Sequence, residues 1–207
     1  MAKEDTGFAP ARALNVTFRA PSGGRSVSVQ LPIEVHACED KSHNRLLAES
    51  PTPAMRIALY EPDIPQNTGT ILRLCACLGI EAHIIEPAGF PVTDRAFRRA
   101  GMDYLDQVTL SRHTSFSTFE EWRARERLSL VLLTTAGERS YVDHVFTTDQ
   151  VLLFGRESAG VPAAVHKAAD ARLRVPMRPG MRSVNVAMAV AMVASEALRQ
   201  TGGLPRS

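Results

Sequence analysis

Residues 55–79 read MRIALYEPDIPQNTGTILRLCACLG, and the change of period inside this stretch decides the fold. Met55 to Tyr60 is a short, almost continuous apolar run, the pattern of a strand covered on both faces. A polar, proline-restrained loop from Glu61 follows it. Beyond Pro65 the apolar residues Ile71, Leu72, Leu74, Cys75 and Leu78 share one broad helical face, and Gly79 ends the helix. Asn67 and Thr68 are candidate caps for its start. Strand, loop and helix in this order make the first piece of an α/β fold.

The alternation continues to the end of the chain. Ala82–Glu86 is the next strand, and Thr93 caps a short basic helix reaching Ala100. Ser115 to Glu126 is a third helix, before an apolar strand at Leu128–Leu133. Val151–Phe154 is another strand and runs into the glycine-bearing loop Gly155–Gly160. Pro162 opens a helix, Ala171–Val175 is a last strand, and Ser183 to Arg199 is a long helix, apolar nearly all round and so expected to be buried on most sides. Apolar strands alternating with helices predict a parallel sheet covered on both faces.

Residues 1–54 read differently. They are rich in Ala, Pro, Ser, Gly, Thr and Arg and show no sustained helical period. Leu14–Phe18 and Val27–Leu31 alternate as the arms of a hairpin would. We expect an N-terminal extension at 1–54, a mobile tail or a segment outside the native chain with Met55 as the biological start, and a regular α/β domain at 55–207. The 207 residues, 44% hydrophobic and 22% charged, exclude global disorder. A net charge of +2 means that any nucleic-acid site must be a local patch. No apolar run approaches the roughly 18 residues of a membrane span, and the N-terminus carries no secretory signal. Cys38, Cys75 and Cys77 form no disulfide framework; Cys75 and Cys77 read as buried thiols. A cytoplasmic protein is expected.

Several chemistries fail on their motifs. No G-x-G-x-x-G follows a strand, and Gly155–Gly160 lacks the Lys-Ser/Thr of a P-loop. The same loop misses a nucleophile elbow by one position, at Ser158. The histidines at 36, 43, 83, 113, 144 and 166 form no H-x-x-x-H or H-x-H pair, so no metal is expected.

Three loops remain, each at the carboxyl end of an expected strand, where open α/β sheets bind ligands. The first runs from Glu61 through Asn67 to Arg73. The second, Phe154–Pro162, has two glycines and a helix-opening proline and can wrap closely around a ligand. The third, Val175–Asn185, carries two prolines, Arg178, Arg182 and a helix start expected to be capped by Ser183.

With RIALYEPDIPQNTGTILRLC, HIIEPAGF, DRAFRRAGMDY, LLFGRESAGVP and RVPMRPGMRSVNV in this order, the chain resembles the knotted, SPOUT-type RNA methyltransferases. Within them it is similar to the small tRNA 2′-O-methyltransferases that modify the wobble nucleotide. The resemblance implies a deep C-terminal trefoil knot, S-adenosylmethionine as cofactor and a homodimer acting on a tRNA anticodon stem-loop. It implies a cofactor pocket at Leu133, Gly155, Glu157, Gly160, Val175, Met177 and Ser183, with Glu157 near the sulfonium. It also implies catalytic roles for Arg73, Asn67, Ser183 and Asn185. Arginine side chains stay protonated in proteins and make poor bases, so Arg73 is assigned to orienting the hydroxyl and stabilising alkoxide charge.

For RNA, Arg95, Arg98 and Arg99 fall on one face of the short basic helix, and Arg156 and Arg182 stand in the loops framing the pocket. Rival readings are a ribosomal RNA 2′-O-methyltransferase, a catalytically silent RNA-binding protein of the same fold, and a serine hydrolase using Ser158.

Overall fold

The computed structural model describes Leu14–Phe18 and Val27–Leu31 as strands, and residues 55–92 and 107–205 with their side chains. The chain divides into two compact units, Met1–Ser50 and Pro51–Ser207. In the first, β1 (Leu14–Phe18) and β2 (Val27–Leu31) pair antiparallel, Leu14 opposite Leu31 and Phe18 opposite Val27.

The second unit is built on a sheet of seven strands. They are β3 (Arg56–Tyr60), β4 (Glu81–Ile85), β5 (Leu110–His113), β6 (Ser129–Leu133), β7 (Arg139–Ser140), β8 (Gln150–Phe154) and β9 (Ala171–Arg174). Their order is β5-β4-β3-β8-β6-β9-β7, and every neighbouring pair is parallel. Among the described residues the α-helices are α1 (Pro65–Leu78), α2 (Phe116–Arg125), α3 (Ala163–Ala168) and α4 (Val186–Thr201).

Strands β3, β4, β6 and β8 are buried at every residue but the first, because their alternate side chains enter two separate cores. Ile57, Leu59, Leu133, Leu152 and Phe154 pack with Ile71 and Leu72 of α1 and Val190 and Val193 of α4. Ala58, Tyr60, Leu130, Leu132 and Leu153 pack with Phe119 of α2 and Val165 of α3. The result is three layers, each buried Leu or Ile contributing about 1.5–3 kcal/mol.

At the sheet's right-hand end β9 is clasped. It lies between β6 and β7, and the loop joining those two strands crosses it at Gly137. A Cβ at Gly137 would lie 2.3 Å from the Leu173 carbonyl carbon, so only glycine permits this backbone-on-backbone approach. Thr134 N donates to Leu173 O at 2.9 Å, Glu138 N to Arg172 O at 3.1 Å, and Arg174 Nη1 to Gly137 O at 2.7 Å.

Some sequence expectations need correction. Helix α1 is not capped by Asn67 or Thr68: its N-cap is the extended Ile64 with no side-chain cap bond, and Pro65 occupies the first turn, where its missing N–H costs nothing. Helix α4 begins at Val186 rather than Ser183, because Asn185 Oδ1 accepts from Ala187 N and Met188 N. Cys75 is buried but Cys77 is exposed, the two lying on different faces of α1. Helix α4 is not covered all round, since Met188 and Met192 remain 54% and 42% exposed. Strands β5 and β7 had no sequence signal. The helix expected from Thr93, with Arg95, Arg98 and Arg99, lies outside the described residues.

Candidate active site

The strand order reverses at the boundary between β3 and β8. Crevices at the carboxyl ends of strands beside such a reversal are where open α/β sheets bind ligands. A cavity of about 500 Å³ opens there. Its floor is Leu133 and Phe154 at the ends of β6 and β8. Its walls are the glycine loop, the segment after β9 through Val175 and Met177, and the turn entering α4.

The glycine loop closes into a ring. Arg156 N donates to Gly160 O at 3.2 Å and Gly160 N to Arg156 O at 2.9 Å. A Cβ at Gly155 would meet the Gly160 carbonyl carbon at 2.7 Å, and Gly160 itself is left-handed, φ 65°. Both positions therefore demand glycine.

Polar contacts knit the three loops across the cavity. Asn67 Nδ2 donates to Glu157 Oε1 at 2.9 Å, and Asn185 Nδ2 donates to Asn67 Oδ1 at 3.0 Å. Asn67 thus stands between an acid of the glycine loop and the cap of α4. Asp63 accepts from Glu157 N at 3.2 Å and from Ser158 N at 3.3 Å, and also takes the Ser158 hydroxyl. Hydrogen bonding with the Glu157 side chain, joined by Ser158 and the loop amides, holds Asp63 down at about 2. Burial, followed by the Asp63 side chain, pushes Glu157 above the usual carboxylate range.

All seven residues expected at the cofactor pocket line this cavity, and so do Asn67, Asn185, Arg156 and Arg182. Ser183 lines it too, exposed and outside the helix it was expected to cap. Arg73 does not line it; it stands exposed on α1, about 9 Å along the axis from Asn67. Arg156 pairs with Glu61 at 3.1 Å, so part of its charge is already matched. Asp63 was missed by sequence reasoning; an acid held between two prolines was its only signal.

Among the described histidines two meet on the side of the sheet packed against α2. His83 Nδ1 and His113 Nε2 lie 3.0 Å apart on β4 and β5, with the Trp122 ring 4.1 Å from His83. Burial, then His113 and Arg56, pushes His83 down to about 3, and burial lowers His113. Among the described residues no group of three or more His, Cys, Asp or Glu could hold a metal ion, and no helix is long and apolar enough to cross a membrane.

The clasped strand, the three converging loops and the cavity between them define an α/β protein with a knit ligand pocket at a sheet reversal. Comparison with known proteins gives that class its family: the SpoU rRNA Methylase family matches residues 54–195, and the chain belongs to it. A relative from Beijerinckia indica, a tRNA (cytidine(34)-2′-O)-methyltransferase, is 65% identical over 150 residues, 72% of this chain and 94% of that protein. A solved structure described as giving insight into the 2-OH methylation of C/U34 on tRNA is 39% identical with a TM-score of 0.68, covering 73% of this chain and 99% of the other. An AdoMet-bound rRNA methyltransferase from Sinorhizobium meliloti is 27% identical with a TM-score of 0.62, covering 70% of this chain and 56% of the other.

Proposed function

We propose that this chain is an S-adenosylmethionine-dependent RNA methyltransferase that modifies the ribose 2′-hydroxyl of the wobble nucleotide, position 34, of tRNA. The observation that carries the reading is the 65% identity to the wobble-cytidine enzyme of Beijerinckia indica, with the pocket residues of this chain gathered around one cavity.

The cavity suits the cofactor chemically. Its volume of about 500 Å³ is in the range of small-molecule sites. Leu133, Val175 and Val186 offer apolar wall for a purine, and the Gly155–Gly160 ring lets backbone amides approach a ribose. Glu157 places a carboxyl where a sulfonium cation is welcome. When bound, S-adenosylmethionine supplies an activated methyl group. The residues of the chain do the rest. Asn67 and Asn185 hold the first and third loops against Glu157, so the reacting groups meet in a fixed geometry, the main requirement of in-line transfer. Arg73 orients the incoming hydroxyl and stabilises its developing charge; the proton leaves to a neighbouring phosphate or to water. Ser183, exposed at the cavity wall, supplies a hydroxyl to the third loop.

Arg182 and Arg178 are exposed on the loop leading into α4 and, with Arg95, Arg98, Arg99 and the exposed part of Arg156, supply phosphate contacts. Met188 and Met192, exposed and four residues apart on α4, leave an apolar stripe on that helix that suits a second copy of the chain. The clasp of β9 by the β6–β7 loop is the element around which a C-terminal trefoil knot would close. We infer a cytoplasmic enzyme from its tRNA substrate. Labelled S-adenosylmethionine offered with bulk tRNA and with ribosomal RNA tests the reading: label in tRNA alone supports it, and label in ribosomal RNA alone overturns the substrate.

A further inference from the structure

The glycine loop needs something to hold it. Its glycines give it no stiffness of its own, yet a carboxyl on it must keep one orientation to serve the cavity. The contacts that do this come from the loop between β3 and α1. Asp63 Oδ1 accepts Glu157 N at 3.2 Å, Asp63 Oδ2 accepts Ser158 N at 3.3 Å, and the Ser158 hydroxyl donates to the same oxygen. In return, Asp63 N donates to Glu157 Oε2 at 3.4 Å, leaving Oε1 for Asn67. Two residues earlier, Glu61 holds Arg156 at 3.1 Å.

Asp63 is itself seated from behind. Gly89 N donates to Pro62 O at 2.9 Å. A Cβ on Gly89 would stand 3.0 Å from both Cα and Cβ of Asp63, so the glycine before Phe90 in the HIIEPAGF segment lets Asp63 sit where it does. Two neighbouring carboxyls repel unless donors satisfy one of them. Here the donors are two backbone amides and a hydroxyl, all on the glycine loop. No basic side chain is among these donors, so the anion serves to fix loop geometry.

We propose that Asp63 is a positioning residue for methyl transfer, which locks the Glu157–Ser158 turn so that the Glu157 carboxyl stays bridged to Asn67 at the cavity wall. The inference rests on the cavity being the cofactor site. Asp63 does not line the cavity; it acts through Glu157.

A double-mutant cycle tests this, read by calorimetric binding of S-adenosylmethionine and by the kcat and KM of tRNA methylation. Asp63→Asn turns one acceptor toward Ser158 into a donor and weakens cofactor binding about tenfold, with kcat reduced and the KM for tRNA unchanged. Asp63→Glu keeps both oxygens and recovers binding to within about threefold. The double variant Asp63→Asn/Glu157→Gln binds no worse than Glu157→Gln alone, because the role of Asp63 runs through Glu157. Additive losses of roughly a hundredfold in the double variant overturn the proposal, as does wild-type binding by Asp63→Asn. Should Asp63→Asn fail to fold in a melting curve, Ser158→Ala replaces it: a loss that vanishes in the Glu157→Gln background supports the proposal, and no loss overturns it. If the wild-type chain neither binds the cofactor nor methylates tRNA, the functional reading falls and takes this inference with it. If the wild type is active and only the cycle fails, the inference alone falls.

Discussion

Replacing Gly137 by Ala attacks the clasp on β9 directly. The new methyl would stand 2.3 Å from the Leu173 carbonyl carbon, 2.5 Å from its oxygen and 2.6 Å from Arg174 N. Ordinary carbon contacts need about 3.5 Å, so the loop must retreat by roughly 1 Å. The atoms it meets are backbone of β9, held between β6 and β7, and cannot rotate away. The retreat breaks the bonds from Thr134 N to Leu173 O and from Glu138 N to Arg172 O, and the Arg174 contact to Gly137 O. At about 1 kcal/mol each the loss is about 3 kcal/mol, worth roughly 6–12 °C in Tm for a domain of this size. Leu133, Thr134 and Val175 also line the cavity, so cofactor affinity falls with stability. Gly202, left-handed at φ 70° with nothing within 4 Å of an added Cβ, is the control: Gly202→Ala costs only about 1 kcal/mol of backbone strain. Scanning calorimetry and cofactor calorimetry read both variants. A Gly137→Ala protein that melts within 2 °C of wild type and binds the cofactor equally well (about 2 °C being the shift expected for less than 1 kcal/mol) would refute the clasp argument.

Further outcomes follow from the same contacts. His83 is held neutral down to about 3 and His113 is also lowered, so the unfolded chain binds protons first as pH drops below about 6.5. Stability present above that pH is lost on the way down toward about 3, with a slope of up to ~1.4 kcal/mol per pH unit for each histidine. His83→Phe flattens the fall in Tm between pH 6.5 and 4.5, and an unchanged slope counts against the pair. Arg73→Ala, away from the cavity lining, lowers kcat at least tenfold while cofactor Kd stays within twofold, about 1.4 kcal/mol of transition-state stabilisation; normal turnover sinks the role given to Arg73. Leu152→Ala, fully buried among α1, α4 and the sheet, destabilises by about 2–5 kcal/mol in denaturant unfolding. Fluorophosphonate labelling of Ser158 is expected to fail, since its hydroxyl is taken up by the Asp63 carboxylate.

The sequence made some elements legible and hid others for physical reasons. Helix α1 spans Pro65–Leu78 as read, because Pro65 and Gly79 punctuate both ends locally. Strands β6 and β8 announced themselves as apolar runs, since burial on both faces leaves no room for a polar residue. Strand β5, Leu-Ser-Arg-His, was invisible: it is short, at the sheet edge, and polar at three of four positions. Ser183 and Asn185 are both good caps by type, and only the backbone shows that Asn185 is the one used. The pocket residues were named through resemblance and loop position. Asp63 could not be named that way, because its partners Glu157 and Ser158 lie more than 90 residues further along the chain. Contacts at that separation leave no local trace.

The most direct test of the account is to map the methyl group. One purified tRNA, incubated with the protein and labelled S-adenosylmethionine, is digested and its nucleosides and nuclease fragments are read by mass spectrometry. The account predicts one 2′-O-methylated pyrimidine at position 34, and none when that nucleotide carries a 2′-deoxyribose. A methyl group on a base, or on a ribose elsewhere in the tRNA, would contradict it.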